Sequence, residues 1–105
     1  MIYQLCFYVP ETHLEQVKDS LFKAGAGKLG NYECCAWQTK GSGQFCPQQG
    51  STPYLGSFGK IETVEEYKVE MICDAENIQQ VITALKTNHP YEKPAYGIIK
   101  LESFS

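Results

Sequence analysis

The sequence has no long apolar run, and this excludes a membrane-spanning helix. Its longest apolar stretch, Leu5 to Val9, is far shorter than the roughly 20 residues that a helix needs to cross a bilayer. The first residues also lack the basic segment and the small-residue cleavage site of a signal peptide. We therefore expect no membrane contact and a cytoplasmic location.

An excess of basic residues is also missing. The chain has 9 lysines and arginines against 12 acidic residues, which gives a net charge of -3. Surfaces that bind nucleic acids usually carry clustered positive charge. The sequence therefore predicts no nucleic-acid partner.

The five cysteines do not form a recognisable disulfide framework, although Cys34 or Cys46 could add a soft ligand to a metal site. Their number is odd and no C-x-x-C pair occurs, so a disulfide scaffold is excluded. Cys6 and Cys73 lie in apolar, strand-like runs and are predicted to be small core residues.

What is present is the composition of an ordinary globular domain. With 105 residues, 43% of them hydrophobic, the chain has enough apolar side chains for one core but not for two. We predict a single domain over residues 1–105.

Apolar spacing predicts four strands. The first is apolar on both faces, which favours a central position in a sheet. The third alternates apolar with charged residues, which predicts one solvent-facing side. The four predicted strands cover residues 2–9, 31–38, 61–73 and 95–101.

Two helices are predicted between these strands. Thr12 and Glu15 have the spacing of a capping box, and the helix that they begin should close at Gly25. Asp74 is the predicted cap of the second helix. The order β-α-β-β-α-β predicts an α+β, ferredoxin-like sandwich: an antiparallel sheet with two helices on one face.

The other face of that sheet needs cover. Thirteen of the 105 residues are aromatic, which supplies surface for burial against a partner. A homo-oligomer, either a dimer or a trimer, is therefore expected.

The glycine pattern from Gly25 to Gly30 matches G-x-G-x-x-G but does not predict a dinucleotide site. That fingerprint leads from a strand into a helix, where phosphate meets the helix N-terminus. Here the glycines lead from a helix into a strand, so they predict a helix end and a turn with positive φ.

The segment 40–59 is rich in glycine and is predicted to be a long irregular loop, which is usually functional or mobile. Its backbone amides and hydroxyls suit an anionic or polar ligand. The alternative is a β-hairpin arm that packs on a neighbouring subunit. Gly43, Gln44 and Phe45 are its candidate ligand-binding residues.

The segment 88–94 holds the second group of candidates: His89, Tyr91 and Glu92. An imidazole and a carboxylate can bind a divalent metal ion, so His89 and Glu92 are candidate metal ligands and a divalent ion is the candidate cofactor. The structural alternative is a rigid corner after the second helix, in which His89 bonds to the backbone and Tyr91 packs. No Ser-His-Asp or Cys-His arrangement is legible, so a non-enzymatic role is favoured.

A series of short motifs resembles one family. Together they resemble the domain inserted in longer bacterial YqfO-type proteins of the Nif3-like dinuclear-metal family. The His-Pro-Tyr-Glu corner also resembles the end of the second helix in CutA divalent-cation-tolerance proteins. The motifs are Val9-Pro10-Glu11, Gly25-Ala26-Gly27, Gly30-Asn31-Tyr32, Gly43-Gln44-Phe45, Pro53 with Gly56, Gly59, Val64-Glu65 and His89-Pro90-Tyr91-Glu92.

The resemblance implies a PII/CutA-like fold that assembles through its sheet, as in those trimeric proteins, and it implies small regulatory ligands bound by loops and subunit clefts. It covers the insert only, so it implies no GTP cyclohydrolase-like activity. The prediction is a self-associating domain that binds a small ligand in a cleft between subunits. Divalent metal binding, an enzyme with a shared site, and action with a separate protein partner stay open.

Overall fold

The computed structural model describes residues 1–104. Four strands and two helices follow one another in the predicted order. They are β1 (Ile2–Pro10), α1 (Leu14–Lys23), β2 (Trp37–Phe45), β3 (Glu62–Asp74), α2 (Ile78–Asn88) and β4 (Tyr96–Leu101), with a single 3-10 turn, Glu11–His13, before α1.

The strands form one antiparallel sheet in the order β2-β3-β1-β4. β1 is central, as its two apolar faces predict: Leu5 pairs with Met71 of β3 on one side and with Ile98 of β4 on the other. The predicted ferredoxin-like α+β fold is confirmed.

The core lies between the sheet and the two helices. Alternate residues of β1 and β3 point toward the helices, whose apolar sides cover them. Full burial of a valine, leucine, phenylalanine or methionine side chain contributes about 1.5–3 kcal/mol to folding. The buried residues are Leu5, Phe7, Val9, Leu14, Val17, Leu21, Ala26, Val69, Met71, Cys73, Val81 and Leu85.

The opposite side of the sheet, here called the open face, keeps apolar groups in solvent. The strand register places Ile2 and Tyr8 of β1, Trp37 of β2, and Ile99 and Leu101 of β4 on this face. Trp37 is 68% exposed and Ile99 60% exposed.

The two cysteines predicted for the core differ in position. Cys6 lies on the open face and is half-buried, so its predicted core position is wrong. Cys73 is buried, as predicted.

The predicted helix caps are wrong. Pro10 leads into the 3-10 turn, so Thr12 lies inside that turn and its hydroxyl contacts His13 Nδ1 at 2.9 Å. α2 begins after Asn77 rather than after Asp74, because the Asn77 N–H donates to the Asp74 carbonyl in a preceding turn. Within residues 1–104, no side-chain hydrogen bond caps either helix.

The second strand exists, but its predicted bounds of residues 31–38 are wrong, because β2 begins only at Trp37 and continues to Phe45. Cys34 has φ +59° and breaks the extended path, while the Cys35 N–H donates to the Gly27 carbonyl. The predicted glycine turn is confirmed, since Gly25 and Gly27 have φ +116° and +79° and only glycine adopts such angles at low cost.

β2 and β3 form a hairpin that runs past the end of β1. β2 continues to Phe45, so the predicted loop over 40–59 is shorter at its start: its first residues pair with β3. The irregular part is the hairpin loop, residues 46–61. The second connection, residues 89–95 between α2 and β4, is called the corner.

Within residues 1–104, no helix has the length and apolarity to cross a membrane.

Candidate functional site

The hairpin loop and the corner meet and enclose a cleft of about 280 Å³. The two segments come together within one chain, so a cleft exists without a second subunit. Aromatic, proline and aliphatic side chains supply most of its walls, and a few polar groups converge on it. The lining residues are Tyr8, Gln44, Phe45, Pro47, Ser51, Pro53, Tyr54, Leu55, Glu66, Tyr91, Glu92, Lys93 and Ala95.

The His89 side chain joins the corner to strand β1 through hydrogen bonds to the backbone. The side chain is only 6% exposed, and both ring nitrogens bond to the backbone. Nε2–H donates to the Tyr8 carbonyl at 2.6 Å, and Nδ1 accepts from the Tyr91 N–H at 3.1 Å. Burial is the largest effect on the pKa of His89 and lowers it. The hydrogen bond to the Tyr8 carbonyl acts in the opposite direction and raises the pKa, while the charge of His13 lowers it further. The imidazole is therefore neutral at neutral pH.

The Tyr91 ring packs against the His89 ring in a tilted arrangement, with centroids 4.7 Å apart and an interplanar angle of 59°. Its hydroxyl donates to Glu66 Oε2 at 3.1 Å. Burial raises the pKa of Tyr91 well above its usual range, and the Glu66 charge raises it further because a neighbouring anion disfavours the phenolate. Tyr91 is therefore a fixed hydrogen-bond donor and not a base.

Glu92 joins the corner to the hairpin loop. Its Oε1 accepts the Thr52 N–H at 2.6 Å, a contact between residues 40 positions apart. Hydrogen bonds of this kind, with an ionised acceptor, are among the stronger ones in proteins. This bond holds one side of the cleft closed around its aromatic walls.

Gly43 makes room for Glu66. A Cβ built on Gly43 would lie 2.6 Å from Glu66 Cδ, which is closer than van der Waals contact allows. The carboxylate thus lies directly over the glycine backbone, and this position allows it to accept the Tyr91 hydroxyl. Glycine in a strand often marks such a close approach.

The predicted ligand-binding residues fall into two groups. Gln44, Phe45, Tyr91 and Glu92 line the cleft. His89 lies behind the lining under Tyr91, and Gly43 borders an adjacent, more open groove. Their binding roles stay predictions.

Sequence reasoning missed Glu66, Tyr54 and Tyr8 as lining residues. Glu66 is one of the charged residues in the predicted third strand, and the alternation there indicates only a solvent-facing position. The spacing of Gly41 and Gly43, two apart in a strand, was the available signal, because it leaves a strip of backbone uncovered on one face.

The surroundings of His89 and Glu92 give little support for a bound metal ion. Among residues 1–104, no group of three His, Cys, Asp or Glu side chains could hold one. His89 would have to give up a backbone hydrogen bond to expose a nitrogen, and Glu92 already accepts the Thr52 N–H through one oxygen. Metal binding by His89 and Glu92 stays a prediction.

Comparisons with known proteins place this geometry in context. No family model matches the chain. It is 43% identical over 100 residues to a GTP cyclohydrolase 1 type 2 homolog of Halalkalibacterium halodurans, which is 95% of this chain and 27% of that protein. A protein of the same name from Mycobacterium leprae is 44% identical over 94 residues, or 90% of this chain and 24% of its own. The chain thus spans about a quarter of these curated relatives.

Solved structures give the same result. A Bacillus cereus protein related to NIF3 superposes with a TM-score of 0.83 at 39% identity, over 97% of this chain and 26% of that one. The periplasmic divalent cation tolerance protein CutA of Archaeoglobus fulgidus superposes with a TM-score of 0.72 at 19% identity, over 100% of this chain and 88% of its own. The second match concerns the fold alone. Together they confirm a CutA-like fold and similarity to one segment of NIF3-related proteins.

Proposed function

We propose that this chain is a self-associating, non-enzymatic domain whose cleft binds a small ligand, as an accessory binding or regulatory domain of Nif3-like proteins. The observation that carries the proposal is the cleft, which lies between two irregular segments tied together by specific hydrogen bonds. Any chemistry of the longer relatives would belong to the parts that this chain does not match.

The shape and the lining of the cleft support ligand binding. Small-molecule sites are concave and mostly apolar, with a few polar groups that fix orientation. Here Phe45, Tyr54 and Tyr91 form a continuous aromatic wall, with centroid separations of 6.2 Å on each side of Tyr91. The volume of about 280 Å³ suits a compact ligand.

A fragment screen tests the cleft. We expect small fragments to shift amide NMR signals at Tyr91 and Thr52 in labelled protein. Replacing Phe45 with leucine should weaken binding about three- to tenfold, because an aromatic contact contributes about 0.5–1.5 kcal/mol beyond its area. Phe58→Leu is the matched control, since Phe58 lies in the hairpin loop, is 57% exposed and does not line the cleft.

Fragments of positive, negative and zero charge, with zinc as a separate sample, make the screen complete. If no compound shifts the signals of the cleft at millimolar concentration, the ligand-binding proposal is wrong. A shift produced by zinc alone would support the metal prediction instead.

The open face supports self-association. Trp37, Ile99, Ile2 and Leu101 lie exposed on one side of the sheet. Patches of this kind on a small domain usually mark an interface. A second copy of the chain, presenting the same face, would bury these groups in an assembly with closed symmetry.

Light scattering coupled to size-exclusion chromatography tests the assembly. We expect an oligomer for the wild type and a monomer for Ile99→Glu, because a charge buried without a partner costs several kcal/mol. Leu29→Glu is the control: Leu29 is 57% exposed but lies outside the sheet, so its variant should stay oligomeric. A monomeric wild type at micromolar concentration would contradict the proposal.

A further inference from the structure

The cleft contains two carboxylates, and neither forms a salt bridge with a group of the described chain. Glu66 and Glu92 both line it, and Lys93 is the one basic lining residue. Within residues 1–104, the salt bridges involve other groups, and neither carboxylate has a lysine or histidine nitrogen within 4.0 Å. Each carboxylate uses one oxygen in a hydrogen bond: Glu92 accepts the Thr52 N–H and Glu66 accepts the Tyr91 hydroxyl, so both partners are neutral donors.

The aromatic wall beside these carboxylates adds a second kind of group that attracts cations. The faces of Phe45, Tyr54 and Tyr91 carry the negative part of the ring quadrupole, which attracts cations within about 6 Å. Carboxylates and aromatic faces in one small cleft are the combination that recognises alkylated ammonium groups. Such a cation sheds its hydration shell at low cost because its surface is already apolar.

An anionic ligand fits the same cleft poorly. The sequence suggests anion binding through backbone amides of this region, but the Thr52 N–H already donates to Glu92. The space beside Gly43 is filled by the Glu66 carboxylate. An anion entering the cleft would meet two negative charges and one positive charge.

Resting on the ligand cleft proposed above, we infer that its ligand is a small organic cation with an alkylated ammonium group. Glu66 supplies the counter-charge, held in place by the Tyr91 hydroxyl and by the absence of a side chain at Gly43. Phe45, Tyr54 and Tyr91 contact the alkyl groups. Glu92 sets the width of the cleft through its bond to the hairpin loop.

Choline and 3,3-dimethylbutan-1-ol test this inference because they have the same shape and differ in charge. In NMR titrations of the whole protein, choline should bind at least about tenfold more tightly than the neutral alcohol. Glu66→Gln should weaken choline binding about tenfold and leave the alcohol unaffected. The amide of that variant can still accept the Tyr91 hydroxyl, so the fold should be retained, and the spectrum reports whether it is.

Glu65→Gln is the matched control. Glu65 is the preceding residue of β3, its side chain is 73% exposed, and it pairs with Lys40 outside the cleft. Its variant should bind choline like the wild type. Equal losses in the Glu65 and Glu66 variants would overturn the role of Glu66, because they would show only a general effect of net charge.

The remaining outcomes separate this inference from the proposed function. Equal binding of choline and the alcohol, or binding of neutral or anionic fragments without choline, would overturn the inference of a cation and leave the ligand cleft intact. No shift at the cleft with any compound would overturn both.

Discussion

His89→Ala should lower the free energy of unfolding by about 2–4 kcal/mol. The substitution leaves the Tyr8 carbonyl and the Tyr91 N–H without their partner in a partly buried place, where each such loss costs about 1–2 kcal/mol, the lower part of the usual range. Chemical denaturation at neutral pH measures the change. His13→Ala is the control, because His13 lies outside the core and its one side-chain hydrogen bond within residues 1–104 is the contact with Thr12.

The same imidazole should make stability depend on pH. Burial lowers the pKa of His89 in the folded protein, so the unfolded chain, with its ordinary pKa of about 6.5, binds the proton more tightly. Stability should therefore be complete above pH 6.5 and should fall as the pH drops toward the folded pKa, by up to about 1.4 kcal/mol per pH unit.

A protonated His89 also loses the acceptor that holds the corner. Nδ1 would carry a hydrogen facing the Tyr91 N–H, so acidification should loosen Tyr91 before the whole chain unfolds. In His89→Gln the slope between pH 6.5 and 5 should decrease, whereas His13→Gln should retain most of it. An unchanged slope in His89→Gln would show that other groups cause the acid sensitivity.

Gly43→Ala should uncouple Glu66 from Tyr91 by displacing the carboxylate. A double-mutant cycle with Tyr91→Phe measures this. In the wild type, removal of the hydroxyl should cost about 1–2 kcal/mol, since the acceptor is charged but only partly buried. In Gly43→Ala the same removal should cost almost nothing, because the hydrogen bond is already lost.

Gly41→Ala is the matched control for this cycle. Gly41 lies two residues earlier in β2, and apart from Gly41 and its two chain neighbours no atom of residues 1–104 comes within 4 Å of the Cβ that alanine would add. In this background Tyr91→Phe should keep its full cost. If Gly43→Ala preserves the coupling, Glu66 has another route to Tyr91 and the spacing role of Gly43 is wrong.

The fold was largely predictable because its main elements carry strong periodic signals. The two apolar faces of β1 and the alternation in β3 predicted the sheet, and the apolar spacing of α1 and α2 predicted the helices. The predicted bounds of the second strand, 31–38, failed because Cys34 adopts positive φ, an angle that no local pattern for cysteine reveals. The caps failed because backbone turns, rather than side chains, begin both helices.

The cleft was only half predictable. Phe45, Tyr91 and Glu92 stand in motif-like segments, so their chemistry was visible in the sequence. The position of Glu66 in the cleft was not visible, because it depends on the strand register and on the space over the Gly43 backbone. Tyr54 becomes a wall only because the hairpin loop folds back onto the corner, which is a tertiary contact.

The hydrogen bonds around the cleft join distant parts of the chain. His89 reaches Tyr8 across 81 positions, Glu92 reaches Thr52 across 40, and Tyr91 reaches Glu66 across 25. The sheet joins residues that are just as distant, such as Ile2 and Leu101, but it does so through continuous ladders of paired strands. Each contact around the cleft is a single bond made by an irregular segment, so the cleft should be completed late in folding, after the sheet has brought its two segments together. By the same reasoning, native-state hydrogen exchange should find the amides of Thr52 and Tyr91 among the least protected hydrogen-bonded amides, opening while the sheet stays closed.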